Sequence, residues 1–279
     1  MKNVIFTSSD EKYGDFLVTH WLRSLKDNVD LTNTDVIVLD YGLTEIQVSE
    51  LKRNNVIVHK AKKDGAIVNI RWREMAIILK RKEYDQVLSV DGGDIIFQDG
   101  ISSIFSEDTG AFRAAYEGTN KLYKSYFLKT CFSRKVSSKM KECLHGKKIV
   151  NAGVLLGPSY KFIGLCNEIV SLIEDKGRFG PDQIIINYVL QRDGFKELNP
   201  KYNFIISTLD AKDAKFTIKE GVLYLQNGQK IPIVHNAGRY SMLRPLKNFG
   251  YGKGCNKQKI LTHLILRTMY RLFDSVLLR

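Results

Sequence analysis

The sequence lacks the marks of several large protein classes. Its 279 residues hold only four cysteines, Cys131, Cys143, Cys166 and Cys255, scattered and with no C-x-x-C pair. That spacing offers neither a zinc ribbon nor a disulfide framework, so reduced thiols and a cytoplasmic setting are expected. No apolar run approaches the ~18 residues that mark a membrane-spanning helix. The opening "MKNVIFTSSD" turns polar too soon to be expected as a secretory leader. Internal repeats and low-complexity segments are missing as well. Acids are outnumbered: 30 Asp and Glu face 43 Lys and Arg, a formal charge of +13. Such an excess suits anionic partners: nucleic acid, an acidic membrane or phosphorylated substrates. The basic residues form no helix-turn-helix and do not interleave with aromatics, so nucleic acid is not an expected partner.

What is present is enough for a core: 44% hydrophobic and 10% aromatic residues. "NVIFTSS" (3–9), "DVIVLDYG" (35–42), "VIVHKA" (56–61) and "QVLSV" (86–90) read as strands. Helical spacing fills the gaps at 13–27, at 44–55 with Thr44 as cap, and at 70–84. This alternation predicts an α/β fold with a mostly parallel sheet flanked by helices. Further on, 147–158 reads as a strand, and 160–175 and 180–193 as helices, the last with Pro181 at an early position. "VLYLQNGQKIPIVHNAG" predicts a hairpin around Asn227-Gly228 and then a strand into His235. The predicted organisation is one domain over 1–250 and a basic amphipathic helix beyond it.

In open parallel sheets, ligands bind beyond the carboxyl ends of the strands. Four stretches fall at such ends or beside them. "VDGGD" places Asp91 and Asp94 after a buried strand, with Gly92 and Gly93 between them. Two carboxylates there form a hard-cation site for Mn²⁺ or Mg²⁺, though Asp and Gly are also ordinary turn residues. His235, in "IPIVHNAGRY", also follows an apolar run and is a candidate third ligand. Gly238 would let the backbone approach a diphosphate and Arg239 would pair with it. In "VNAGVLLGP", the Asn151 amide can read sugar hydroxyls and Gly153 permits close approach. "GPDQIIIN" sets Asp182 and Gln183 in a first helical turn, where Asp also simply suits the helix dipole.

In this order and rough spacing, "SSDEKY", "DGGD", "NAGVLLGP", "DQIIIN" and "HNAGR" resemble the GT-A-fold glycosyltransferases, and within them family 8, the glycogenin-like and bacterial lipopolysaccharide galactosyltransferase-like enzymes. The resemblance spans roughly residues 3–245. It implies a metal-dependent enzyme that moves a hexose from a nucleotide-sugar donor, with uridine diphosphate as carrier, to a glycan or lipid-linked acceptor, with retention. It assigns Thr7, Ser8, Asp10 and Tyr13 to the nucleotide pocket, and Arg71 or Arg73 to the donor. It gives Asp91, Asp94 and His235 to the metal, Asn151 and Gly153 to the donor sugar, and Asp182 and Gln183 to the reacting centre. Three departures stand out. The acid motif has one residue more than Asp-x-Asp; Ile184 occupies the usual third acid's place; and the lysine after the His motif is missing, leaving Arg239 or Arg244 to replace it.

The final stretch, 256–279, carries five Lys or Arg, one Asp and an apolar stripe. It reads as an interfacial helix on an anionic membrane surface, or as a helix packed on the domain or on a second copy. The stretch 118–149, with nine Lys or Arg and one acid, is either a hold for a phosphorylated or lipid-linked acceptor or a solvated loop. Two other classes share these residues: a sugar nucleotidyltransferase, and a non-catalytic basic binding protein for nucleotide or nucleic acid. The first lacks its Gly-rich, Lys-containing loop after the first strand.

Overall fold

A computed structural model describes residues 1–118, 127–206, 216–238, 244–252, 256–257 and 265. Its centre is a sheet of seven strands in the order β3-β2-β1-β4-β7-β6-β8. These are β1 (Asn3–Ser9), β2 (Thr34–Asp40), β3 (Ile57–Lys60), β4 (Gln86–Val90), β6 (Arg113–Gly118), β7 (Ile149–Pro158) and β8 (Lys196–Glu197). The first four run parallel, while β7 is antiparallel to both β4 and β6. A second, small sheet joins β5 (Ile95–Phe97), β12 (Ile233–His235) and β9 (Phe204–Ile205). Among the described residues there are also two ribbons: β10 (Phe216–Lys219) with β11 (Val222–Leu225), and β13 (Leu246–Lys247) with β14 (Asn256–Lys257).

The central strands are apolar on both faces because both are covered. One layer packs the helices Ile67–Arg81, Ser159–Leu172 and Pro181–Asp193 around Trp72, Met75, Phe162 and Ile185. The other packs the first helix around Leu17, Trp21 and Phe97. That first helix runs Glu11–Phe16, widens to a π-helix over Leu17–Leu22 and closes over Arg23–Asn28, turning Leu17, His20, Trp21 and Leu22 all inward. Thr44 caps the helix Glu45–Arg53 in a reciprocal box with Gln47.

One expectation was incomplete and one needs correction. The hairpin ladder turns at Glu220-Gly221, both with positive φ, a two-residue loop whose twist matches paired strands. The expected turn at Asn227-Gly228 is present as well: the Leu225 amide donates to the Gln229 carbonyl at 2.8 Å and the Ile231 amide to the Leu223 carbonyl at 3.1 Å, beside a bridge of Tyr224 with Lys230. The helix expected over 256–279 does not begin at 256, because Asn256–Lys257 pairs with Leu246–Lys247 as a strand. Apart from Ile265, which is helical and half exposed, the rest of that stretch lies outside the described residues. Among the described residues, no helix is long and apolar enough to cross a membrane.

Candidate active site

Two sheets converge on one point. β4 ends at Val90, paired with Val154 of β7, and the next amide, that of Asp91, donates to the Gly153 carbonyl at 2.9 Å. The chain then turns through Gly92-Gly93 and re-enters as β5, whose Ile95 pairs with His235 of β12. The Asn236 amide donates to the Asp94 carbonyl at 2.9 Å. On the other side of β12, His235 pairs with Ile205, which brings Asn203 alongside. The two glycines are required by contact. A Cβ on Gly92 would lie 2.7 Å from Thr7 Oγ1, and one on Gly93 2.9 Å from the Tyr13 ring.

Asp91, Asp94 and His235 present ligand atoms that all lie within 4.8 Å of one another. His235 Nε2 is 3.5 Å from Asp94 Oδ1 and 3.9 Å from Asp91 Oδ2. Two carboxylate oxygens and an imidazole nitrogen suit Mn²⁺ or Mg²⁺. Space is reserved around them: a Cβ on Gly153 would stand 2.3 Å from His235 Cε1 and 2.9 Å from Asp91 Oδ2.

The orientation of His235 is set by a hydrogen-bond chain. Gln183 Nε2 and Asn151 Nδ2 both donate to Glu117 Oε2, at 2.8 and 3.1 Å. Asn203 Nδ2 donates to Asn151 Oδ1 at 3.1 Å, and the Gly153 amide donates to the same oxygen at 2.8 Å. Asn203 Oδ1 is therefore left as acceptor, and His235 Nδ1 donates to it at 2.9 Å. Nε2 is then the nitrogen that faces the two carboxylates.

Charge is compensated by two arginines. Arg71, buried on the Ile67–Arg81 helix, lies 2.7 Å from Asp91 Oδ1 and 3.7 Å from Asp182 Oδ2. Burial would push the Asp91 carboxyl up, but Arg71 and His235 reverse this and hold it below the usual carboxylate range. At Asp182 burial wins, and the carboxyl is pushed up to about 6 despite Arg71. Burial would lower the His235 imidazole, yet Asp94 and then Asp91 raise it. Arg244 Nη2 sits 3.3 Å from Asp94 Oδ2.

The other sequence candidates divide. Thr7 Oγ1 and Asp10 Oδ1 are buried with no hydrogen-bond partner. Asp10 Oδ2 takes Lys63 Nζ at 2.8 Å. Ser8 lies near the carboxyl end of β1, and Tyr13 lies under Gly93 and Arg244. Gly238 meets Arg244, whose Nε donates to its carbonyl at 3.2 Å. Arg73 is not brought to the acids: it grips both Asp64 oxygens at 2.9 Å and Glu74 at 2.8 Å. Arg239 lies outside the described residues. Ile184 is core, fully buried. Sequence reasoning missed Glu117 and Asn203 and had Arg244 only as a stand-in for a lysine. An open hollow of about 470 Å³ at the amino ends of β1 and β2, lined by Met1, Lys2 and Asp35, has none of this chemistry.

No family profile and no curated protein matches the sequence. Solved structures do. An active-site mutant of LgtC aligns over 86% of this chain and 89% of its own, at TM-score 0.58 and 18% identity. The chain has the GT-A glycosyltransferase fold. The galactosyltransferase LgtC bound to donor and acceptor sugar analogs aligns over 90% of this chain and 92% of its own, at TM-score 0.55 and 17% identity. The glycosyltransferase GlyE of Streptococcus pneumoniae TIGR4, without ligand, aligns over 90% of this chain at TM-score 0.56 and 18% identity, but only 57% of GlyE is spanned. Within this GT-A fold, the Asp91–Asp94–His235 group stands at the carboxyl end of β4, where open α/β sheets bind ligands.

Proposed function

We propose that this chain is a glycosyltransferase that moves a hexose from a nucleotide diphospho-sugar, with uridine as the nucleoside, to a glycan or glycolipid hydroxyl in cell-surface polysaccharide synthesis. The observation that carries the reading is the meeting of Asp91, Asp94 and His235 with Asn151, Asp182 and Gln183 around one point of a GT-A fold. The orphaned Thr7 and Asp10 oxygens support a nucleotide pocket alongside. A divalent cation, Mn²⁺ or Mg²⁺, held by the first three residues, supplies charge neutralisation to the leaving diphosphate.

The chain's own residues do the rest. Arg71 ties Asp91 to Asp182 and so fixes the acid motif against the helix that presents Gln183. Asn151 and Gln183, both donors to Glu117, form a polar wall suited to sugar hydroxyls. Gln183 is a weak nucleophile, because the oxygen that would attack belongs to a neutral amide. Front-face substitution assisted by the leaving phosphate therefore stands beside a covalent intermediate as a route to retention. On the front-face route the acceptor oxygen bonds to the anomeric carbon as the bond to the diphosphate oxygen breaks on the same face, and the hydroxyl proton passes to the departing phosphate.

The acceptor's setting is part of the proposal. Lys129, Arg134, Lys135, Lys139 and Lys141 are exposed around the helix Arg134–Cys143, whose Met140 is buried. That face suits a phosphorylated or lipid-linked acceptor, and 256–279 an anionic membrane on the cytoplasmic side. Deleting 256–279 should lower sedimentation with anionic liposomes; unchanged sedimentation removes the membrane reading. For the activity itself, a panel of uridine and other nucleotide-sugars is incubated with Mn²⁺ and hydrolysis measured. At least one donor should turn over, and Asp91→Ala should abolish the metal-dependent rate while circular dichroism stays native. Full activity of that variant sinks the assignment. Consumption of a nucleoside triphosphate with a sugar phosphate instead would favour a nucleotidyltransferase.

A further inference from the structure

Arg244 is held too firmly, and in too particular a place, for a surface arginine. Its three guanidinium nitrogens are all used. Nη2 lies 3.3 Å from Asp94 Oδ2, Nη1 donates to the Gly93 carbonyl at 2.9 Å, and Nε donates to the Gly238 carbonyl at 3.2 Å. The guanidinium carbon lies 5.8 Å from the centre of the Tyr13 ring. Asp94 is therefore gripped from both sides, because His235 Nε2 lies 3.5 Å from its other oxygen.

The segment that carries Arg244 is a strap across the first helix. Asn236 clasps Leu246 by a reciprocal pair of hydrogen bonds, at 3.1 and 3.0 Å. Phe249 stacks on Phe16 with ring centres 5.9 Å apart. Gly250 fits against His20 so closely that a Cβ would lie 2.8 Å from the imidazole. Asn28 Nδ2 donates to the Tyr251 hydroxyl at 3.1 Å. The strap thus fixes the station of the Arg244 head, whose stem lies against Gly238.

A divalent cation taken up by Asp91, Asp94 and His235 would meet this guanidinium on the same carboxylate. Like charges at such range repel. We propose that Arg244 is the resident counter-ion of Asp94, which a divalent cation must displace, and that the strap keeps the displaced guanidinium beside the site for an anion arriving with the metal. This rests on the metal site assigned above. Arrival of cation and anion is thereby coupled: each makes room for the other.

The test is Mn²⁺ binding to the full chain by titration calorimetry, without donor and then with saturating uridine diphosphate. Without the nucleotide, Arg244→Gln should bind Mn²⁺ about tenfold more tightly than wild type, and Arg244→Lys within about threefold of it. With the nucleotide, the gain in Mn²⁺ affinity should be larger in wild type than in Arg244→Gln. Phe249→Ala, which loosens the strap, should tighten nucleotide-free Mn²⁺ binding in the same direction. Circular dichroism confirms that each variant is folded. Unchanged or weaker Mn²⁺ binding by Arg244→Gln overturns the counter-ion role, equal coupling overturns the exchange, and no response to Phe249→Ala overturns the strap. If neither wild type nor Arg244→Gln binds Mn²⁺, the metal site itself is wrong and this inference falls with it.

Discussion

His235 Nδ1 lies 2.9 Å from Asn203 Oδ1, and this contact decides which imidazole nitrogen faces the two carboxylates. The Asn203 amide cannot flip freely, because its nitrogen serves Asn151, whose own nitrogen serves Glu117. A carboxylate accepts only, so direction is imposed from Glu117 to His235. Asn203→Leu should keep the fold but lower Mn²⁺ affinity about 10- to 100-fold, the usual cost of losing such a partner. Glu117→Gln should cause a smaller loss, since a glutamine can still accept. Titration calorimetry reads both, and an unchanged affinity in Asn203→Leu would refute the orientation argument.

Arg71 and Arg73 look interchangeable in "IRWRE", but the structure separates them. Arg71 is buried between Asp91 and Asp182, whereas the Arg73 side chain is 27% exposed on Asp64. Removing one member of a buried charge network leaves its partners uncompensated, at a cost of about 3–5 kcal/mol. Arg71→Met should therefore destabilise by that order, and Arg73→Met by about 1 kcal/mol or less. Urea unfolding of the two variants in parallel would measure the contrast, and equal losses would contradict it.

Gly153 and Gly164 make a second pair of opposites. A methyl on Gly153 would intrude on His235, Asn151 and Asp91 together, whereas one on Gly164 meets nothing within 4 Å. Gly153→Ala should lose metal binding and transfer activity by at least about 100-fold, because sub-ångström ligand geometry is what such sites depend on. Gly164→Ala, on an exposed helical turn, should gain about 0.5–1 kcal/mol. Thermal unfolding and donor turnover check the two.

The strands β1 to β4 and the helices between them were legible because each is a local event: an apolar run that stops at a charged or polar residue. Asp91, Asp94 and His235 each ended such a run, but only the family resemblance joined them, because β5 and β12 meet across a long stretch of chain. Arg71 was half legible. It shares a helical stripe with Ile67, Met75 and Ile78, which marks it as the inward arginine, but a bare motif match does not choose. Glu117 and Asn203 were not legible. Their roles arise where β6 meets β7 and where β9 meets β12, and pairings of that range leave no local trace. The longer β10–β11 ladder was missed for a similar reason. Asn-Gly is the stronger turn signal in isolation, yet the ladder formed around Glu220-Gly221, where Leu223 reaches the core formed with Ile96 and Val234.

Asp182 gives the fold a pH signature. Burial is the main cause of its raised pKa, with Arg71 opposing, and the folded value stands at about 6 against an ordinary 3.8. A carboxyl raised on folding favours the protonated native state, so its stabilising contribution is complete below the unfolded value and is lost as pH climbs through the folded one. The difference corresponds to about 3 kcal/mol. In metal-free buffer with chelator, wild-type stability relative to Asp182→Asn should therefore fall between pH 4 and pH 7 and level off above. The comparison uses the slope rather than the absolute offset, because asparagine also gives up the 3.7 Å contact with Arg71 at every pH. Urea midpoints measured across that range would show it. A difference that stays flat, or that grows in favour of aspartate with pH, would mean that Arg71 outweighs burial and that Asp182 is ionised throughout.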